Sequence, residues 1–128
     1  MQLSQPDLRS RTKSLSVRVL RFSRELPDTT DAQLLGKRLI RHITRAGAYY
    51  RAALRCRSLR SYIKRLDYAI YDLELSGYWL ELLIESQAAP KIDMTSIHTE
   101  IQEVLTILVG CKRKAKKAGN KQTEMSSN

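Results

Sequence analysis

The sequence predicts an all-α protein, an antiparallel up-and-down four-helix bundle. Apolar residues recur at steps of three and four in four successive segments. The three prolines, Pro6, Pro27 and Pro90, fall outside those segments, where a missing N–H does least harm. No stretch alternates polar with apolar residues as a half-buried strand would. Short connections between amphipathic helices make antiparallel neighbours the default packing. The 128 residues suit one domain, and a hydrophobic content of 42% is enough for a core and argues against wholesale disorder.

The first helix, over about 7–26, places Leu15, Val19, Phe22 and Leu26 on one face. The second, over 31–56, opens on Thr30 and Gln33, which have the spacing of a capping box. Its apolar face is Leu35, Leu39, Ile43, Ala46, Tyr50 and Ala53. The third, over 58–88, is the most regular: Leu59, Ile63, Leu66, Ile70, Leu73, Gly77, Leu80 and Ile84 alternate steps of four and three. Ser58 is its expected N-cap, because the hydroxyl can accept from an orphan N–H of the first turn. The fourth, over 94–117, is capped by Asp93 and carries Ile97, Ile101, Val104, Leu108 and Cys111 at the same spacing. The bundle is thus expected over 1–117. Residues 118–128 turn polar and basic and are expected to be a disordered tail.

Composition excludes several classes. No uncharged run exceeds the eight residues from Val104 to Cys111, whereas a membrane-spanning helix needs about 20 apolar residues, so no membrane crossing is expected. Met1 to Arg11 is polar and lacks the apolar centre of a secretory signal. Cys56 and Cys111 are far apart in helical patterns, which fits a reducing cytoplasm better than a disulfide framework. Neither these thiols nor His42 and His98 have metal-ligand spacing, so no metal or other cofactor is expected. The acids of the third helix lack the Glu-x-x-His pairs of a di-iron bundle, and no serine sits in a nucleophile elbow or a phosphate-cradling glycine loop. The expectation is a protein that is not an enzyme.

The charge is the informative feature. Lys and Arg number 23 against 13 Asp and Glu, a net +10, which points to an anionic partner. At 100° per residue, Lys37, Arg38, Arg41, Arg45, Arg51 and Arg55 fall within about 140° of arc, opposite the apolar face of the second helix. No acid follows Asp31 in that helix. A solvated face normally mixes signs, because like charges one turn apart repel, so a one-sign stripe reads as a binding face. Up-and-down stacking would gather Arg9, Arg11, Lys13, Arg51, Arg55, Arg57, Arg60, Lys64, Arg65 and the cluster Lys112, Arg113, Lys114, Lys116 and Lys117 at one end. Glu25, Asp28, Asp31, Glu81, Glu85 and Asp93 would gather at the other. Helix dipoles favour part of this pattern but not Arg60, Lys64 and Arg65 near a helix start, nor Glu81 and Glu85 near a helix end. Residues 58–93 carry −2, from four bases and six acids, and the remainder carries +12.

Tyr49 and Tyr50 interrupt the basic helix, and Tyr62, Tyr68, Tyr71, Tyr78 and Trp79 follow on the third helix, its tyrosines on several faces. Aromatics beside cations can stack on unpaired bases, but in a small bundle they more often complete a core or a subunit contact. Packing is the expectation here. Gly47 and Gly77 inside helices each cost about 1 kcal/mol relative to Ala, with close helix approach as the expected compensation.

Two elements carry a family resemblance: Gly47-Ala48-Tyr49-Tyr50-Arg51-Ala52-Ala53 and Tyr78-Trp79-Leu80-Glu81-Leu82-Leu83. Flanked by Gly36-Lys37-Arg38-Leu39-Ile40-Arg41 and Ser58-Leu59-Arg60-Ser61-Tyr62-Ile63-Lys64-Arg65-Leu66, the chain from about Lys13 to Lys117 resembles bacterial four-helix-bundle proteins first noticed in intervening sequences of large ribosomal RNA genes. In its basicity it is closest to one branch of them, the accessory variability determinants of diversity-generating retroelements. Ile43, Thr44 and Arg45 stand where that family usually has Gly-Thr-Ser, and Tyr49 stands where Asn is usual. The resemblance implies a homopentameric, barrel-like ring. For the retroelement branch it implies a basic surface for nucleic acid and a reverse-transcriptase partner that makes mutagenic cDNA.

The expected function is therefore a ring-forming accessory protein that binds RNA or DNA through phosphate contacts. The candidate contacts are Lys37, Arg38, Arg41, Arg45, Arg51, Arg55, Arg57, Arg60, Lys64, Lys112, Arg113, Lys114, Lys116 and Lys117. The alternative is a structural homo-oligomer of the ribosomal-gene type that docks a protein partner without touching nucleic acid.

Overall fold

The computed structural model describes residues 8–126, with side-chain burial described through residue 122. It holds four helices: α1 (Leu8–Ser23), α2 (Thr30–Ala53), α3 (Leu59–Glu85) and α4 (Thr95–Ser126). Each packs on its sequence neighbours, and α1 closes back onto α4, as in an up-and-down bundle. The expected start of the first helix at residue 7 and the last two residues, 127–128, lie outside the described residues.

The core follows the spacing of the apolar residues. Leu15 and Val19 of α1, Leu39 and Ile43 of α2, Leu66, Leu73 and Leu80 of α3, and Ile101, Val104 and Leu108 of α4 are each no more than 1% exposed. In α3 the buried face is rotated from the expected one. Leu59, Ile63, Ile70 and Ile84 are only half-buried, while Ala69, Asp72, Ser76 and Leu83 are buried. The cause is geometric: α3 packs against both α2 and α4, and the small side chains of Ala69 and Ser76 let α2 approach.

The helix ends carry their own chemistry. Ser58 caps α3 as expected, its hydroxyl accepting from Ser61 N–H at 3.1 Å. Asp93 holds the start of α4 through the N–H and hydroxyl of Thr95 at 3.1 and 2.7 Å. These hydrogen bonds hold the Asp93 carboxyl below its usual range, the one from the hydroxyl being the larger cause. The cap of α2 is Thr29, one residue earlier than the capping-box spacing indicated. Gln33 donates to the Pro27 carbonyl at 3.0 Å instead of closing the box. α3 stops in a Schellman motif, with Ala88 N–H on Leu83 O and Gln87 N–H on Ile84 O, and Gln87 takes the left-handed position at φ 57°.

α4 differs most from the expectation. It continues to Ser126, where the sequence pattern placed a disordered tail from 118. Lys and Ala are strong helix formers, no proline intervenes, and Gly119 lies against Leu59, the first residue of α3. That contact fits a helix that passes the glycine.

Helix length sets where the charges sit. α1 has 16 residues and α4 has 32, so α1 covers about half of α4. Arg11, near the start of α1, forks onto Glu100 with hydrogen bonds of 2.9 and 2.8 Å and reaches Glu103 at 2.7 Å. The cluster at 112–117 therefore lies about 14–21 Å beyond Glu103 along α4, at 1.5 Å rise per residue. It stands beside the first turns of α3 and not beside α1. The basic end foreseen from stacking is thus two separate surfaces.

Candidate nucleic-acid interface

The cations of α2 sort into three groups by what they face. Lys37 and Arg41 are exposed on the outer face, with Arg55 just past the helix end and also exposed. None of these three has an ion pair among the described residues. Arg38 and Arg45 lean toward α3. Arg51 leans toward α1, where it lines a cleft with Arg9.

The α2–α3 side holds its cations by specific contacts. The Arg38 guanidinium lies 5.0 Å from the Trp79 ring centroid. Trp79 in turn donates its indole N–H to His42 Nδ1 at 3.1 Å. An indole can only donate, so His42 Nδ1 is the acceptor in this pair. The same nitrogen lies 3.0 Å from Arg38 O. Arg45 lies 5.6 Å from the Tyr49 ring centroid and pairs with Asp72 at 3.6 Å. No hydrogen bond from the described residues reaches either Asp72 carboxylate oxygen. Burial pushes the Asp72 carboxyl above its usual range, against an opposing pull from Arg45 first and then His42 and Arg41. Arg45 is therefore tied to the bundle and is a weaker candidate for a mobile ligand than Lys37 or Arg41.

The α1–α2 side forms an open groove of about 380 Å³, lined by Arg9, Lys13, Ser16, Thr44, Gly47 and Arg51 among others. A second cavity of about 430 Å³, lined by Arg9, Arg51, Leu54 and Arg55, shares two of its arginines.

The remaining candidates lie on the α3–α4 side. Arg57 is exposed in the α2–α3 connection, and Arg60 and Lys64 are exposed on the first turns of α3. Arg113, Lys114, Lys116 and Lys117 are exposed on α4, where a helix and not a flexible tail carries them. Lys112 is engaged with Asp67.

The tyrosines divide. Tyr50 is 3% exposed and belongs to the core, in line with the packing expectation. Tyr68, Tyr71 and Tyr78 are 41%, 61% and 51% exposed and lie outside the core of the described residues, with Tyr68 5.0 Å from the Tyr49 ring and Tyr78 5.2 Å from the Trp79 ring. Tyr71, Leu75, Tyr78 and Leu82 fall within about 60° of one another around α3, an outward strip with half-buried leucines between exposed rings.

Sequence reasoning did not select Arg9 and Lys13 as site residues, nor Asp72 and Trp79 as the groups that hold Arg45 and Arg38. One signal for the latter was present: no acid occurs between Asp31 and Asp67, so the first acids of α3 are the nearest in sequence to balance the α2 stripe.

No helix among the described residues is long and apolar enough to cross a membrane. Neither a protein-family model nor a curated protein matches the chain. Among solved structures, the chain is similar to a protein of unknown function from the S23 ribosomal protein family of Bacteroides thetaiotaomicron VPI-5482. The two share 24% identity and superpose with a TM-score of 0.74 over 82% of this chain and 97% of that one. The likeness is one of fold: the chain is a four-helix bundle of the kind found in that protein.

Proposed function

We propose that this protein is a non-enzymatic accessory factor that binds nucleic acid through its phosphates and works as a homo-oligomeric ring beside a reverse transcriptase. The observation that carries the reading is the exposed set Lys37, Arg41, Arg51 and Arg55, which has no ion pair among the described residues, while Arg11, Arg45 and Lys112 find acids. Three like charges along α2 and a fourth just past its end repel one another, and an anionic ligand relieves that cost. The reverse-transcriptase partner and the pentameric ring rest on the resemblance described above. The test is fluorescence anisotropy of a labelled RNA hairpin across a salt series. Binding that weakens steeply with salt is expected, and binding that is absent or indifferent to salt would overturn the reading.

A second reading is favoured by the strip Tyr71–Leu75–Tyr78–Leu82: a structural homo-oligomer that docks a protein partner without contacting nucleic acid. Exposed apolar area of this kind suits a protein contact. This reading predicts that pull-downs recover the partner after nuclease treatment, and that Tyr71→Glu with Tyr78→Glu lowers the oligomeric mass in analytical ultracentrifugation.

A further inference from the structure

The groove between α1 and α2 differs in kind from the rest of the basic surface. Arg9 and Lys13 stand one turn apart on α1, and Arg51 and Arg55 stand on the end of α2 and the turn after it. Arg9 and Arg51 line both cavities, Lys13 lines the first and Arg55 the second, so four cations line two cavities with a shared arginine pair. Among the described residues, no acid and no aromatic lines either cavity. Both volumes fall in the range of about 300–1,000 Å³ of ligand-sized clefts.

The walls also limit what the ligand can be. Ser16 donates its hydroxyl proton to Ile43 O at 3.2 Å, and Thr44 donates to Ile40 O at 2.7 Å. These hydroxyls are committed to backbone carbonyls, so donors for an anion must come from the guanidinium and ammonium groups alone. Gly47 has no side chain, and even a Cβ there would sit 3.5 Å from the Thr12 carbonyl oxygen; with Ala48 beside it, the floor stays shallow. Such a cleft suits a chain of phosphates. Its described lining has no ring on which a base could stack and no carboxylate to read a base edge.

We infer that this groove binds the sugar–phosphate backbone of a nucleic-acid strand, with the bases turned outward, so that binding is independent of base identity. The inference rests on the nucleic-acid reading above and adds a location and a selectivity to it. Phosphates are held by Arg9, Lys13, Arg51 and Arg55. The stacked pair Arg38–Trp79 on the other side of α2 lies outside the groove.

The test uses the full chain and two labelled oligonucleotides of equal length, oligo-dT and an abasic-spacer strand, measured by anisotropy at fixed salt. Equal phosphate counts should give dissociation constants within about threefold of each other, because the phosphates supply the affinity. Arg9→Glu with Arg51→Glu should weaken both at least about tenfold, and the neutral plug Ala48→Trp at an exposed position should weaken both several-fold without a charge change. Lys91→Glu, at an exposed position in the α3–α4 connection, should leave both within about twofold. Circular dichroism confirms that each variant is folded. Two results would overturn the groove while leaving the nucleic-acid reading intact. One is wild-type affinity in the Arg9/Arg51 and Ala48 variants alongside loss in Lys37→Glu/Arg41→Glu. The other is an abasic strand that binds far more weakly than oligo-dT. A wild-type protein that binds neither strand would overturn both.

Discussion

Arg45 Nε lies 3.6 Å from Oδ2 of Asp72, a carboxylate whose side chain is 1% exposed, while the Arg45 side chain is 43% exposed. The separation is too long for a hydrogen bond, so Arg45 acts on Asp72 through its field. The two partners have unequal stakes. Arg45 keeps much of its water, whereas Asp72 has given up its own with no hydrogen bond in return.

Asp72→Asn should therefore stabilise the protein at neutral pH. The folded carboxyl lies above its ordinary pKa, with burial as the first cause. A carboxyl raised in the folded state is neutral at low pH, and its stability contribution is lost as pH rises through the raised value. The variant is expected to gain about 1 kcal/mol near pH 7, with the gap closing as the pH falls toward the unfolded carboxylate range. Thermal melts over a pH series check this. A variant less stable than wild type near pH 7 would mean that the Arg45 field outweighs desolvation.

The Arg11–Glu100 fork has the opposite sign. Hydrogen bonding to Arg11 holds the Glu100 carboxyl below its usual range, so its contribution is present above the unfolded pKa and lost as pH falls through the lowered one. Glu100→Gln should cost about 1 kcal/mol near pH 7 and progressively less in acid. Glu103 is 58% exposed, and Glu103→Gln should cost only a few tenths of a kcal/mol. Urea midpoints at two pH values separate these cases.

Gln87 occupies the left-handed position of the Schellman motif at φ 57°, where a β-carbon is strained. Gln87→Gly should raise stability by about 0.5–1 kcal/mol, read as a higher melting temperature with unchanged helicity. An unchanged or lower melting temperature would show that the Gln87 side chain offsets its backbone strain.

Two helical glycines should respond differently to alanine. A β-carbon on Gly47 would meet nothing nearer than 3.5 Å, so Gly47→Ala should gain up to about 1 kcal/mol from helix propensity. On Gly36 it would come within 2.5 Å of Leu26 Cδ1, and the side chain of a residue only 9% exposed must move. Gly36→Ala should gain less or lose stability, as melting temperatures of the pair will show.

The bundle was legible because burial enforces a repeat that the alphabet displays: Leu39, Ile43, Leu73, Leu80, Ile101 and Leu108 all lie in the core where their spacing put them. The rotation of α3 was less so. A buried Ala69, Asp72 and Ser76 carry little hydropathy signal, and two neighbouring helices, not one, decide which arc is covered. The α4 end was misread because composition cannot report that Gly119 rests on Leu59. In the candidate site, the α2 stripe followed from 100° steps, but its division did not. Which cations reach acids, rings or a groove depends on helix length and stagger, and the shortness of α1 separates Arg9 from the 112–117 cluster.

The salt dependence of RNA binding tests the central claim most directly. If Lys37 and Arg41 together with the groove cations Arg9, Lys13, Arg51 and Arg55 each neutralise a phosphate, the logarithm of the binding constant should fall against the logarithm of salt with a slope of about −4 to −5 per protomer. Lys37→Glu with Arg41→Glu should make that slope shallower by about 2 while the helical content holds. A wild-type slope near zero, or a variant slope equal to that of wild type, would contradict the account.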